Sequence, residues 1–357
     1  MIEPIKLLHA ADLHLDSPFA GLPPEQAAQR RRQARQLLEL LPRLCRRAGC
    51  RLVLLAGDLF DTSAVYRDTV DQLRQALAEC PAQVFIAPGN HDPMGPDSPY
   101  RRYSWPSQVH IFTSSQIETL DLGDCTVSGA AFCDGQLPSL AGFHAPQDGR
   151  PHFMVLHGDP NGPAYRTATP ADIAASGLCY LALGHIHRRA AYRTESGVTY
   201  AWPGCFLGRG FDETGPKGVY LVQAAPHQVQ LHFQMLDAPR YEILDVQAAR
   251  LADLASQLPK DSTRHHYRIR LTGDGPATDL AALQARLAPQ FASLQLVDAT
   301  QPPLRPADAG EDSLRGLFTK KLRNAIQTAP DAAQRQTLEL ALELGLQALD
   351  GREVTLP

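Results

Sequence analysis

Five short polar segments, far apart in this chain, each close an apolar run of strand length. They are Asp12-Leu13-His14 after residues 5–11 (IKLLHAA), Gly57-Asp58 after 51–56 (RLVLLA), Gly89-Asn90-His91-Asp92 after 83–87 (QVFIA), His157-Gly158-Asp159 after 152–156 (HFMVL), and Gly184-His185-Ile186-His187 after 178–183 (LCYLAL). Apolar runs of this length, bounded by turn residues, read as buried strands. Their polar ends then fall where open α/β sheets collect ligand-binding groups, beyond the carboxyl ends of the strands. Asp, His and Asn offer the oxygen and imidazole donors that Mn²⁺, Fe or Zn²⁺ accept. One such segment is a weak signal, since polar residues at strand ends are ordinary. Five in order constrain the fold: the strands must bring these ends together.

At 357 residues the chain exceeds one ordinary core, so a catalytic domain plus something smaller is expected. Hydrophobic residues at 44% and charged residues at 20% describe a soluble globular protein, and the net charge of −4 argues against nucleic-acid binding through global charge. Seven scattered cysteines without a CxxC pair read as reduced, mostly buried thiols. The first residues carry no basic leader or long apolar stretch, and no run approaches the roughly 20 apolar residues that span a bilayer. The expectation is a cytoplasmic protein with no membrane association.

The spacing predicts one long helix over about 25–48 and another near 66–79, with the first of the five strands before them and the other four between and after. Short strands near 109–113, 117–122 and 125–131 suggest a second sheet, and 198–202, 218–223 and 228–236 read as closing strands. This is an α/β chain with two sheets face to face and helices outside. Its domains divide as 1–237 for the catalytic part, 238–301 for a small α+β capping module, and 302–357 for a linker and helical tail. The module should hold strands at 241–246, 266–272 and 294–298, with helical stretches at 247–258 and 278–288. The linker at 302–312 (PPLRPADAGED) is rich in Pro, Asp and Gly. The tail at 313–349 has helical apolar spacing, which suits packing on its own chain or docking on a partner. No GxxxxGK[ST] loop occurs, so ATP hydrolysis is not expected of this chain.

Two divalent ions about 3.5–4 Å apart can clamp a phosphate and generate a hydroxide nucleophile. Such a pair needs a bridging anion, and Asp58 is the natural one, a carboxylate with two oxygens at a strand end. Asp12 and His14 lie two positions apart, so a locally extended backbone would point both the same way, and likewise His185 and His187. The reading assigns Asp12, His14 and His187 to one ion and Asn90, His157 and His185 to the other. His91 follows a ligand, so alternation aims it at the phosphate, as general acid or transition-state stabiliser for the leaving oxygen. Asp61 could orient that imidazole as a carboxylate–His pair. Glycines 57, 89, 158 and 184 would allow tight turns beside the ions.

The pattern DxH, GD, GNH[DE], H, GHxH resembles that of the calcineurin-like metallophosphoesterase superfamily. Within it, 7–22 (LLHAADLHLDSPFAGL), 55–61 (LAGDLFD), 87–92 (APGNHD), 183–187 (LGHIH) and 202–222 (WPGCFLGRGFDETGPKGVYLV) resemble SbcD-type DNA repair exonucleases, especially the YhaO-like branch. The resemblance covers roughly 1–225. It implies a four-layer αββα metallophosphoesterase sandwich, Mn²⁺ dependence, a DNA substrate, and a partner ATPase of the SMC-like SbcC type. Relatives of this kind often dimerise, which leaves the oligomeric state open with a homodimer as one option. Trp202-Pro203-Gly204-Cys205 departs from the family, where a Tyr and a Ser or Asn are common, which bears on DNA contact and not on the metals.

Blander readings compete elsewhere. Asp16 and Asp92 fit structural roles, and His9 a satisfied core or ligand-supporting histidine. The arginine-rich helix at 30–47 fits a solvated face with leucines inward. Arg101, Arg102, Arg188 and Arg189, near the metal segments, suit phosphate contacts. Tyr100, Tyr103 and Trp105 suit stacking on unpaired bases or a hydrophobic lid. The activity expected is a two-metal phosphodiesterase acting on DNA, with metal-bound hydroxide as nucleophile. Its rivals are hydrolysis of a small phosphodiester or phosphomonoester, and a non-catalytic subunit that has no need of seven ligands.

Overall fold

The computed structural model of the chain describes residues 3–133, 135–226, 228–254, 258, 262–273, 279–300, 312–352 and 354. The chain divides into two compact units, Met1–Arg240 and Tyr241–Pro357.

Two six-stranded sheets form the first unit. In one, β1 (Ile5–Ala10), β2 (Leu52–Leu55), β3 (Gln83–Ile86) and β4 (Val109–Ile111) run parallel. Antiparallel β11 (Gly218–Ala225) and β12 (Gln228–Met235) extend its β1 edge. The other contains β5 (Glu118–Asp121), β6 (Thr126–Gly129), β7 (His152–His157), β8 (Tyr180–Gly184), β9 (Ala190–Arg193) and β10 (Thr199–Trp202), ordered β5-β6-β7-β8-β10-β9. Its four inner strands are parallel and both edges antiparallel.

Side-chain alternation along the inner strands builds the layers. Phe153 and Val155 of β7 and Tyr180 and Ala182 of β8 join one buried cluster with Leu7, Leu54 and Ile86 of the first sheet. Met154, Leu156, Leu181 and Leu183 turn to the opposite face and pack with Leu140 and Ile173. Helices α1 (Pro24–Leu37), α2 (Leu40–Ala48) and α3 (Arg67–Ala78) contribute Leu37, Leu41, Leu44, Val70 and Leu73 to the first cluster. The short α5 (Pro170–Ala175) covers the second sheet, and one-turn α4 (Pro99–Arg102) follows β3. The result is the four-layer sandwich expected from the sequence. Strands buried on both faces explain why the runs read as continuously apolar. His9 ties the sheets together: its Nε2 donates to the Leu183 carbonyl at 3.1 Å, and its Nδ1 accepts from the Tyr180 hydroxyl at 2.8 Å.

Three expectations need correction. The helix over 25–48 is interrupted at Leu38–Glu39, one turn before Pro42, whose ring would clash with the carbonyl four residues back in a continuous helix. The strand near 109–113 belongs to the first sheet, not the second, because it pairs with β3. The edge strand β9 was not expected at all; it pairs antiparallel with β10.

The second unit has a three-stranded parallel sheet of β13 (Tyr241–Gln247), β14 (His266–Thr272) and β15 (Ser293–Asp298). Helix α6 (Leu280–Leu287) crosses between the last two and buries Leu283 and Leu287 with Val246, Ile269 and Leu271. The stretch expected to be helical at 247–258 forms 3₁₀ turns over Ala248–Asp253, and part of it lies outside the described residues. The linker at 302–312, apart from Asp312, also lies outside them. Helices α7 (Leu314–Gln327) and α8 (Ala332–Leu349) pack on one another. Gly345 leaves room for the Phe318 ring, and buried Arg315 pairs with Asp350 at 2.9 Å. Six of the seven cysteines are buried thiols, and Cys133 is half-buried. No helix among the described residues is long and apolar enough to cross a membrane.

Candidate metal centre

The ends of β1, β2, β3, β7 and β8 bring all seven donors into two touching groups. In the first, His14 and His187 face each other with Nε2 atoms 3.1 Å apart, and Asp12 stands 3.9 Å from His187. In the second, Asn90 Oδ1 lies 2.9 Å from His157 Nε2 and 3.1 Å from His185 Nδ1. Asp58 sits between them, its Oδ2 3.3 Å from His157 Nε2 and 3.7 Å from His14 Nε2. Asp12, His14, Asp58 and His157 are buried, so water does not dilute their interactions.

The backbone that achieves this is not extended, contrary to expectation. Asp12, His14, Asp58 and His185 have φ of 51°, 42°, 50° and 94°. Non-glycine residues held there cost of order 1–3 kcal/mol each and persist only where the surroundings over-determine them. Here Asp12 N–H donates to the Gly57 carbonyl and His14 N–H to that of Asp58, while His185 N–H donates to the Asp12 carboxylate. Gly57 (φ 79°) meets the turn requirement. Gly89 serves close approach instead, because a Cβ there would run into the Asp58 carboxylate.

The protonation pattern tests whether these residues suit cations. His14 Nδ1 meets the Asp61 carboxylate at 3.0 Å, His187 Nδ1 meets Glu213 at 2.7 Å, and His157 Nδ1 meets the Ala56 carbonyl at 2.8 Å. Those partners only accept, so each Nδ1 carries the proton and each Nε2 is left with a lone pair. Arg209 Nη2 lies 3.2 Å from His187 Nδ1, but the shorter contact with an ionised carboxylate decides the tautomer. The lone pairs of His14 and His187 therefore point at each other, and that of His157 points at Asn90 and Asp58 oxygens. Acceptors facing acceptors are reconciled by cations between them, so the donor set fits a pair of metal ions. Burial alone would lower His157, but the Asp58 carboxylate holds it up at about 9, so without ions a proton on Nε2 occupies the place a cation would take beside Asp58. Burial, then the charge on His157, takes His185 down to about 4. Burial pushes the Asp12 carboxyl up.

His91 is exposed at the rim, its ring 4.9 Å from that of His14. Its Nδ1 donates to the backbone carbonyl of Asp61 at 3.0 Å. The Asp61 carboxylate does not orient His91 as expected. It is taken by His14 and by Arg209, whose Nη1 donates to it at 2.9 Å, which leaves the carbonyl for His91. Asp92 is structural: its buried carboxylate accepts from the N–H groups of Asp58, Leu59, Phe60 and Gly89 and from the Tyr100 hydroxyl. Asp16 caps Tyr66 N–H and binds Thr69. Tyr100 is buried and committed to Asp92, so it is no base-stacking face, and partly buried Trp105 packs against it. Arg30 is buried and donates to the Gly208 carbonyl, and Arg35, Arg43, Arg46 and Arg47 bond to neighbouring protein groups. Trp202 is buried beneath the site, donating to the carbonyls of Gly158 and Gly184.

Sequence reasoning missed Arg209 and Glu213. Both lie in the segment between β10 and β11, which has no apolar periodicity to flag them. The only signal available was their place in the family-like stretch at 202–222.

Two face-to-face sheets whose strand ends hold seven oxygen and imidazole donors define a metal-dependent phosphoesterase. The chain belongs to the calcineurin-like phosphoesterase family, a model of which matches residues 5–189. It is 30% identical over 352 residues to an uncharacterized metallophosphoesterase, YhaO, of Bacillus subtilis (strain 168), covering 87% of this chain and 83% of that one. A dimetal phosphatase structure from Danio rerio aligns with a TM-score of 0.43 and 11% identity, over 66% of this chain and 97% of that one.

Proposed function

We propose that this protein is a two-metal phosphodiesterase acting on DNA, with Mn²⁺ as its working ion. Asp12, His14 and His187 would hold one ion and Asn90, His157 and His185 the other, with the Asp58 carboxylate placed to serve both. The observation carrying this reading is the double set of opposed lone pairs around Asp58. Bound there, two divalent ions supply positive charge for the phosphoryl oxygens and an acidified water. The protein's own groups do the rest. Buried Asp58 supplies the anionic oxygen between the two sites, the His185 N–H holds the Asp12 carboxylate in place, and Asn90 adds an uncharged oxygen, which limits repulsion of the incoming phosphate. As the water oxygen bonds to phosphorus and the opposite P–O bond breaks, His91, entering as the imidazolium, gives its Nε2 proton to the leaving oxygen and keeps its Nδ1 proton on the Asp61 carbonyl. Its Nδ1, donating to the Asp61 carbonyl, turns the other nitrogen outward for that transfer.

Two features favour DNA over a small diester. Tyr165 is 39% exposed with its ring 4.9 Å from His185, an aromatic face next to the site on which an unpaired base can stack. Exposed Arg188 and Arg189 directly follow the ligand His187 and suit flanking phosphates.

The test is cleavage of labelled single- and double-stranded DNA with Mn²⁺, alongside bis-p-nitrophenyl phosphate. DNA cutting abolished by EDTA and lowered about 10²–10⁴-fold in His91→Ala supports the reading. Hydrolysis of the generic diester alone would point to a small substrate. As a partner we propose an ATPase docked on the tail, where Leu314 and Leu317 are exposed on α7. Deletion of 305–357 should then abolish capture of that ATPase, and unchanged capture would refute the docking site.

A further inference from the structure

We infer that Arg209 is a positioning residue that locks both imidazoles of one ion site through a single guanidinium; this rests on the ligand assignment proposed above. The two carboxylates that hold His14 and His187 come from distant parts of the chain, Asp61 beyond β2 and Glu213 before β11. One side chain spans them. Arg209 Nη1 donates to Asp61 Oδ1 at 2.9 Å, and Nη2 and Nε donate to Glu213 Oε1 at 2.8 and 3.2 Å. Its own backbone N–H donates to Glu213 Oε2 at 2.7 Å. The chain of contacts closes on itself: His14, Asp61, Arg209, Glu213, His187, and back to His14 across 3.1 Å.

This geometry needs arginine. A planar fork presents several donors in fixed directions, so it can serve two carboxylates at once, whereas a lysine ammonium is a compact point charge on a flexible stem. With Arg209 in place, each carboxylate keeps one oxygen on an imidazole N–H, which fixes the ring and makes its Nε2 a better donor. The guanidinium also offsets two extra negative charges that would otherwise lie beside the phosphate site. Glu213 is buried and Arg209 half-buried, so solvent screens the clamp only weakly.

Among the described residues, the other ion site has no such device. His157 donates to the Ala56 carbonyl, and His185 turns its Nδ1 to Asn90. The clamp therefore acts on the ion at Asp12, His14 and His187 and leaves the ion at Asn90, His157 and His185 alone.

The experiment is calorimetric titration of the full chain with Mn²⁺ for the parent, Arg209→Lys and Arg209→Met, with electron paramagnetic resonance of the loaded samples. The parent should take up two ions with a spin-coupled signal. In both variants one site should weaken by about 10–100-fold, the range for losing a partner of a metal-bound histidine. The coupled signal should then give way to an uncoupled one at low Mn²⁺. Adding His14→Ala to Arg209→Met should weaken the same site, and adding Asn90→Ala should weaken the other. Circular dichroism of the chelated proteins separates a lost fold from a lost clamp, and Arg209→Lys, which keeps the charge, serves if Arg209→Met does not fold. Two sites of parental affinity in a folded variant would overturn the proposal, as would weakening of the Asn90 site. A parent that binds two ions but leaves DNA intact would sink the substrate reading and not the clamp.

Discussion

His9 shows how a single buried residue makes this protein more sensitive to acid. Both ring nitrogens are engaged between the sheets, and burial, only partly offset by the bond to Leu183, lowers its pKa to about 3. The unfolded chain, with an ordinary histidine near 6.5, binds a proton that the native state refuses. Stability from this group is therefore complete above about pH 6.5 and is lost as pH falls from there towards 3. His9→Gln, which keeps polar contacts without titrating, should flatten that slope in thermal melts run across this range. An unchanged slope would mean that other groups govern acid unfolding. Asp92 is the second such residue. Removing it in Asp92→Ala strands four backbone N–H groups and the Tyr100 hydroxyl around the Gly57 and Gly89 turns. The expected loss is at least about 3 kcal/mol in urea unfolding, since each buried donor left without an acceptor costs about 1–3 kcal/mol. A loss under 1 kcal/mol would contradict this account.

At the scale of elements, the strands were legible because burial on both faces leaves a continuous apolar run, and the donors were legible because they sit at the ends of those runs. Pairing was not, since the sheet that β4 joins is decided by contacts with β3 and not by the three residues of β4 itself. The break between α1 and α2 was written in Pro42, but the arginine and leucine spacing on either side masked it. Left-handed backbone at Asp12, His14 and His185 could not be read from the sequence, because Asp and His, though enriched there, take it at only a minority of their positions. Arg209 and Glu213 escaped because their role exists only through contacts with His14, Asp61 and His187, far away in sequence. The departure at Trp202 is resolved by packing: its indole N–H holds the loops after β7 and β8. Trp202→Phe keeps the ring and loses that donor. It should cost about 1 kcal/mol in urea unfolding and should weaken the Asn90 site before the other. Equal weakening of both sites would show that Trp202 supports the fold at large.

For the whole molecule, every proposed ligand, with His91, Asp61, Arg209 and Glu213, lies in the unit Met1–Arg240. That unit carries its own buried clusters, so a 1–240 fragment should unfold cooperatively and bind Mn²⁺ with the stoichiometry of the full chain. Failure to do so, seen by calorimetry, would mean that the second unit completes the site. The account stands most directly on the two ions. Anomalous diffraction at the manganese edge from crystals soaked in Mn²⁺ should show two peaks about 3.5–4 Å apart. One should be ringed by Asp12, His14 and His187, the other by Asn90, His157 and His185, with Asp58 touching both. A single peak, or peaks away from Asp58, would contradict it.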